Sequence, residues 1–272
     1  MDILRGVPEW DYHSWDLMSA SALKTLDRST PLHLKAEREL RTDTPAFRVG
    51  RALHSAVLTP VEYEQDFVVA PDIDRRTKAG KEEWERFQEV AEGRTILTKD
   101  DANLVDAMAR GIMAHPAAKS LVTKCGKDTE ITLRGVFDGV GAKARIDGWI
   151  EEFGTIIDIK THGGIASPRE FARSAYNFGY WTQFAFYREM MRLAGKEVSS
   201  VILIVVEKSA PHACLCAALH EDDLDMATAR LPELVGLYRK FTENPERGWP
   251  DDVTEIRMPN WAATEMIAPT GE

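Results

Sequence analysis

The sequence predicts a mixed α/β fold, a central sheet flanked by helices with a helical N-terminal part. Three observations predict it. Residues before about 125 place apolar side chains at helical spacing, residues 130 to 162 switch to a period of two, and an unbroken apolar run, SSVILIVVEKS, follows a long helical stretch. A helical period followed by strands that alternate with helices is the pattern of a sheet covered by helices.

The elements follow in order. SASALKTL opens with Ser19 or Ser21 as a candidate N-cap. PLHLKAEREL starts with Pro31, a good first helical residue, and PAFRVGRALHSAVL sets Val49, Leu53 and Val57 on one helical face before Pro60 stops it. VAPDIDRRTKAGK reads as a loop. KEEWERFQEVAE and DDANLVDAMARGIMAH read as helices. EITLRGVFDG (130–139), AKARIDGWIEE (142–152) and TIIDIKTH (155–162) are strands, joined by turns at Asp138-Gly139 and Phe153-Gly154 into an antiparallel meander. SPREFARSAYNFGYWTQFAFYREMMRLAG is helical, broken near Gly179 and ended at Gly195. SSVILIVVEKS has the length and apolarity of a central strand, HACLCAALH is the next strand, and EDDLDMATARLPELVGLYRKFTEN is a long amphipathic helix. One domain is expected over 1–272, with 1–125 mostly helical, 126–245 the core and 246–272 an irregular tail.

Composition bounds the function. With 272 residues and 44% hydrophobic side chains, the chain can bury a sizeable core. Its formal charge of −10 argues against coating nucleic acid over the whole surface, and leaves a local basic channel open. No run of about 18 apolar residues predicts a membrane span. The first residues, MDILRGVPEWDYHSW, lack the apolar stretch of a signal peptide, so an intracellular protein is expected. The three cysteines, Cys125, Cys214 and Cys216, exclude a four-cysteine zinc or iron–sulfur site within one chain and read as reduced or buried thiols.

The chemistry concentrates in the meander. In IIDIKT, Asp158 and Lys160 point to one face, and Ile157 and Ile159 to the other. Asp147 lies on the preceding strand and can approach Asp158 across the pair. Two close carboxylates repel unless a positive charge joins them. A hard cation such as Mg²⁺ or Mn²⁺ does this with oxygen ligands, and Lys160 could then reach a water or a phosphate. The plainer alternative is a surface hairpin with an Asp–Lys ion pair. Against it stands the apolar flank of Ile146, Trp149, Ile150, Ile156 and Ile157, where an unpaired charge would be costly.

Spacing marks further candidates. Gln183 and Tyr187 stand at i and i+4, with Tyr180 on the same helical face, either as a tyrosine-lined core face or as a site border. Glu130, at the start of the first strand, is either an extra acid or a solvated strand end. Arg75, Arg76, Lys78 and Lys81 cluster in a glycine-containing loop, as a solvated patch or as phosphate contacts. His162 reads as a loop residue.

Asp147, followed after a short hairpin by Asp158-Ile159-Lys160, resembles the signature of the PD-(D/E)xK nuclease superfamily, although Ile146 stands where a proline usually precedes the first acid. GRALHSAVLTP resembles the histidine-bearing helix of nucleases that process DNA ends for recombination, and GYWTQFAFYREM their Gln-x-x-x-Tyr helix. YHSWDLMSASALKTLDRSTPLHLKAE together with APDIDRRTKAGKEEW is similar to the N-terminal part of the RecE-like exonuclease domain (exonuclease VIII type) of phages and prophages, so that the resemblance spans about residues 10 to 220. It implies a restriction-endonuclease-like core and a metal-dependent exonuclease that degrades the 5′-ended strand of double-stranded DNA ends, leaving 3′ single strand for recombination. It also implies that His54, Asp147, Asp158 and the Ile159 carbonyl hold Mg²⁺ or Mn²⁺, and that Lys160 assists the attacking water. Gln183 and Tyr187 would organise the site, and Tyr180 would stack on a base or sugar. A homo-oligomeric ring, a single-strand annealing protein as partner and a cytoplasmic location in a bacterial or phage-infected cell belong to the same implication. A Cas4-like or AddB-like nuclease would carry an iron–sulfur cluster, which three cysteines do not favour. A non-catalytic DNA-end-binding module of the same fold is the remaining alternative.

Overall fold

The computed structural model describes residues 1–40 and 43–258. In chain order the elements are β1 (Asp2–Leu4), α1 (Glu9–Ser14), α2 (Ala20–Arg28), α3 (Pro31–Glu39), α4 (Pro45–Leu58), α5 (Pro60–Asp66), β2 (Phe67–Val69), α6 (Lys78–Val90), β3 (Thr95–Leu97), α7 (Lys99–Ala114) and α8 (Pro116–Cys125). There follow β4 (Thr129–Phe137), β5 (Val140–Ile150), a 3₁₀ turn (Glu151–Phe153), β6 (Thr155–His162), α9 (Pro168–Asn177), α10 (Tyr180–Leu193), β7 (Ser200–Glu207), β8 (Cys214–Ala218) and α11 (Glu221–Glu243).

A six-stranded mixed sheet in the order β1-β4-β5-β6-β7-β8 forms the centre. All neighbours are antiparallel except β6 and β7, which run parallel in the register Asp158 to Leu203. A parallel pair needs a crossover, and α9 and α10 supply it. Asp138 (φ 45°) and Gly139 (φ 71°) both adopt the left-handed turn conformation that an Asp-Gly hairpin requires. On one face α2, α10 and α11 bury Leu23, Phe184, Phe186, Met190 and Leu234 against Leu133, Ile146 and Leu203. On the other, α4, α7 and α8 bury Leu53, Val57, Val105 and Met108 against Ile157, Ile159, Ile204 and Val206. Each such aliphatic side chain contributes roughly 1.5–3 kcal/mol by leaving water. This is the mixed α/β architecture that the period switch predicts.

Local signals explain the helix starts. Ser19 accepts from the Ala22 N–H and caps α2, while Pro31 and Pro45 occupy first turns. Gly179 (φ 66°) and Gly195 (φ 76°) sit at the break and at the stop of the α9–α10 stretch. Two expectations need correction. Thr77 accepts from the Gly80 N–H, so α6 begins at Lys78, and Lys78 and Lys81 lie on a helix rather than in a loop. The meander pairs β5 with β6 only over Gly148–Ile150, so its two inner strands part just where the acids stand. β1, the parallel pair β2–β3, α1, α5 and α8 have no counterpart among the expected elements. Residues 250–258 carry no regular element, and the rest of the expected irregular tail, 259–272, lies outside the described residues. No helix among the described residues is long and apolar enough to cross a membrane.

Candidate active site

The site forms where β5 and β6 separate. Their pairing stops at Gly148 and Ile157. Beyond it, the Ile159 N–H donates to the Asp147 carboxylate (Oδ2) at 2.9 Å instead of to a carbonyl of β5. Asp147 and Asp158 thereby face one gap, and both are buried. Gly148 keeps the strands close before they part, since a Cβ there would lie 2.6 Å from the Ile157 side chain and 2.8 Å from the Cys125 sulfur.

Helices close the gap from both faces. From α4, His54 Nδ1 stands 3.0 Å from Asp147 Oδ2. From α10, Gln183 Nε2 donates to Asp158 Oδ1 at 3.3 Å, while its Oε1 accepts from Lys24 of α2 at 3.1 Å. Lys160 Nζ lies 2.6 Å from Asp158 Oδ2. That contact is an ion pair without hydrogen-bond alignment, so Asp158 Oδ2 is buried with no aligned donor. On β4, Glu130 occupies the register position opposite Asp147 with φ 50°. For a residue with a Cβ this costs about 1–2 kcal/mol, and it re-aims the side chain.

Among the described residues, His54, Glu130 and Asp147 each present a ligand atom within 4.8 Å of the others. Asp158, which contacts Lys160 and Gln183, is not in that trio. The trio differs from the expected grouping of His54, Asp147 and Asp158 in having Glu130 as its third member. Ile159 contributes the N–H that orients Asp147, and its side chain is fully buried in the opposite core.

Electrostatics show what the cluster lacks. Burial, then repulsion from Asp147, pushes the Glu130 carboxyl up to about 7. Burial and Asp147 likewise raise Asp158 to about 6. Burial is the largest influence on Asp147 and would raise it, but the His54 imidazolium, Lys160 and the Ile159 N–H together hold that carboxyl low. His54 itself rises to about 9, because attraction to Asp147 overcomes its desolvation. Lys160 is raised too, with Asp158 and Asp147 overcoming burial. Lys24 goes the other way, down to about 8, through burial and the nearby Lys160. Burial and mutual repulsion thus favour the protonated forms of Glu130 and Asp158, and His54 carries a positive charge that a hard cation would replace; an oxygen-rich set with one nitrogen suits Mg²⁺ or Mn²⁺. His54, Glu130 and Asp147 would hold such an ion, with the orphaned Asp158 oxygen beside them.

The remaining candidates divide. Tyr187 is buried behind Gln183 and touches the rings of Phe184 and Phe186, which makes it a brace rather than a surface contact. Tyr180 sits at the mouth, its ring centroid 4.9 Å from Lys160 Nζ and 5.9 Å from Lys24 Nζ, and it stacks on exposed Phe178 at 5.8 Å. The basic cluster makes local contacts: Arg75 lies 4.3 Å over the Trp84 ring, Arg76 is 3.7 Å from Asp74, and Lys78 is 3.9 Å from Glu82. His162, expected in a loop, instead ends β6 in register with Glu207 of β7, and it packs edge-on against Phe171. The sequence reading missed Lys24 and Phe178. Lys24 sits mid-helix with no motif around it, and only the packing of α2 on α10 brings it to Gln183.

A comparison with protein families decides the affiliation. Residues 19–256 match the family described as a PDDEXK-like domain of unknown function (DUF3799). The chain belongs to this PDDEXK-like family. Among solved structures, a protein from Eubacterium rectale whose exonuclease activity is an assignment by name shares the PDDEXK-like chain's fold. The TM-score is 0.59 at 14% identity, covering 98% of this chain and 100% of that one. A phage-related exonuclease from Haemophilus somnus 129PT aligns at 15% identity with a TM-score of 0.35, over 84% of this chain and 95% of that one. No curated protein matches the PDDEXK-like chain by sequence.

Proposed function

We propose that the protein is a metal-dependent exodeoxyribonuclease of the RecE-like type. It would hydrolyse the 5′-ended strand at double-stranded DNA ends and leave 3′ single strand for a recombination partner such as an annealing protein. One observation carries the reading. A cation-ready trio of His54, Glu130 and Asp147 stands beside the Asp158–Lys160 ion pair in a PDDEXK-like fold.

The geometry supports the following roles. His54, Glu130 and Asp147 would hold the ion, and the family resemblance would add Asp158 and the Ile159 carbonyl as ligands. When bound, the ion neutralises charge on the phosphate and acidifies water, which makes hydroxide available near neutral pH. Lys160 remains an ammonium, because both aspartates raise its pKa. It therefore acts as a donor that orients the attacking water and balances charge developing on the phosphate, and not as a base. Gln183 fixes the Asp158 carboxylate and is itself held by Lys24. Tyr187 positions Gln183 from behind. Tyr180 and Phe178 offer ring faces at the mouth for an unpaired base, and Lys24 offers a second cation to a phosphate. A cytoplasmic, ring-forming homo-oligomer that encircles the duplex agrees with this activity.

Digestion of end-labelled linear duplexes with Mg²⁺ or Mn²⁺ tests the proposal. Release of label from the 5′ end, abolished by Asp158→Ala, is expected. Equal digestion by wild type and variant, or cleavage of closed circles in preference to ends, would sink it.

A further inference from the structure

The other cluster of soft and imidazole ligands lies away from this gap. His115 stands at the junction of α7 and α8, and Cys214 and Cys216 lie on the edge strand β8. The three present ligand atoms within 4.8 Å of one another, and all three are partly exposed. Cys214 and Cys216 are two apart on one strand, so both sulfurs leave the same face. Cys216 Sγ lies 3.8 Å from His115 Nδ1.

The frame around them is rigid. β8 pairs with β7 through Cys214 to Val206 and Cys216 to Ile204. One helical turn before His115, Gly111 lets the chain that leads into β8 press on α7, since a Cβ there would lie 2.3 Å from the His212 carbonyl oxygen. The helix end carrying the imidazole is thus clamped to the strand carrying the thiols.

The geometry points to a thiophilic metal site, in which Cys214, Cys216 and His115 bind one Zn²⁺ ion and solvent fills the fourth position. Two thiolates and an imidazole favour zinc over the hard cations of the nuclease cluster, and three protein ligands with one open position form a recognised zinc arrangement. On binding, both thiols would lose their protons to solvent and ligate as thiolates. The ion would also take the Nδ1 lone pair that now accepts from the Ala118 N–H at 3.2 Å, so binding exchanges a long cap hydrogen bond for a metal–nitrogen bond. The site would tie the α7–α8 junction to the open edge of the sheet, independently of the nuclease reading.

The test uses the full chain, reduced and freed of metal, titrated with Co²⁺. A near-ultraviolet sulfur-to-cobalt charge-transfer band is expected, saturating at equimolar metal and displaced by Zn²⁺. It should persist in Asp147→Ala/Asp158→Ala and vanish in Cys214→Ser/Cys216→Ser. His115→Asn keeps a good N-cap residue and removes the imidazole, so Co²⁺ affinity should fall by at least about tenfold. No band in the wild type, a band surviving the double serine substitution, or unchanged affinity in His115→Asn would each overturn the site.

Discussion

The backbone N–H of Ile159 donates to the Asp147 carboxylate at 2.9 Å, at the place where β5 and β6 stop pairing. One side chain thus completes a broken ladder and faces a cation-binding cluster. The two duties can be separated. Asp147→Asn keeps an acceptor for the amide but loses the ion pair with His54, so it should melt below wild type and above Asp147→Ala, while cleavage falls on the order of 100-fold or more. Asp147→Ala strands the amide and should cost a further 1–3 kcal/mol or so of stability. Thermal unfolding of the two variants side by side checks this, and equal melting temperatures would contradict it.

Lys160→Ala should abolish cleavage and leave Mn²⁺ binding largely intact. Its ammonium contacts Asp158 and is not a metal ligand. Titration calorimetry with Mn²⁺ reads the second half directly; loss of the binding heat would remove the role given to Lys160.

Glu130 gives the metal-free protein a pH dependence. Its folded pKa, about 7, lies above the ordinary 4.5 of a glutamate. Its contribution is therefore fully present below about 4.5 and is lost as pH rises through 7. In chelator, wild type should lose about 3 kcal/mol relative to Glu130→Gln as pH rises past that window. Saturating Mn²⁺ at pH above the window should restore more stability to wild type than to the variant. A stability difference that stays flat with pH would place the Glu130 proton elsewhere.

Lys24→Gln should weaken binding of duplex ends while sparing Mn²⁺ affinity. With a pKa near 8, the wild-type ammonium discharges as pH rises through that value, so DNA affinity should fall there in wild type and not in the variant. Fluorescence anisotropy across that range, in chelator to prevent cleavage, would show it; parallel profiles would exclude Lys24 from the phosphate path.

Arg75→Ala/Arg76→Ala should lower affinity for duplex DNA and flatten its dependence on salt. The Arg76 side chain is almost wholly exposed, whereas Arg75 is spent partly on Trp84. Arg76 should therefore carry most of the change. An unchanged salt slope would show that this end of α6 does not meet DNA.

The sequence displays the strands that carry the acids, because alternation, Asp-Gly and the long apolar run are local signals. It also displays the helix carrying Gln183 and Tyr187, with both ends marked by glycine. The additions are non-local. β1 is three residues long and exists only through pairing with β4. Lys24 gains its place from helix packing. The approach of Glu130 on β4 to His54 on α4 is likewise a tertiary contact, with Glu130 at a positive φ that no residue pattern encodes. His115 and Cys216 lie 101 positions apart, so only the docking of α8 beside β8 reveals their proximity.

The parallel pairing of β6 with β7 also bears on the order of folding. Asp158, Lys160 and Gln183 belong to one strand–helix–strand unit, which closes over a modest loop. His54 arrives from a helix far upstream, at a larger entropic cost. Pulse-labelled hydrogen exchange during refolding should therefore find the amides of β6 and β7 guarded before those of α4, so that the refolding chain would carry its clustered acids without the imidazole until α4 docks.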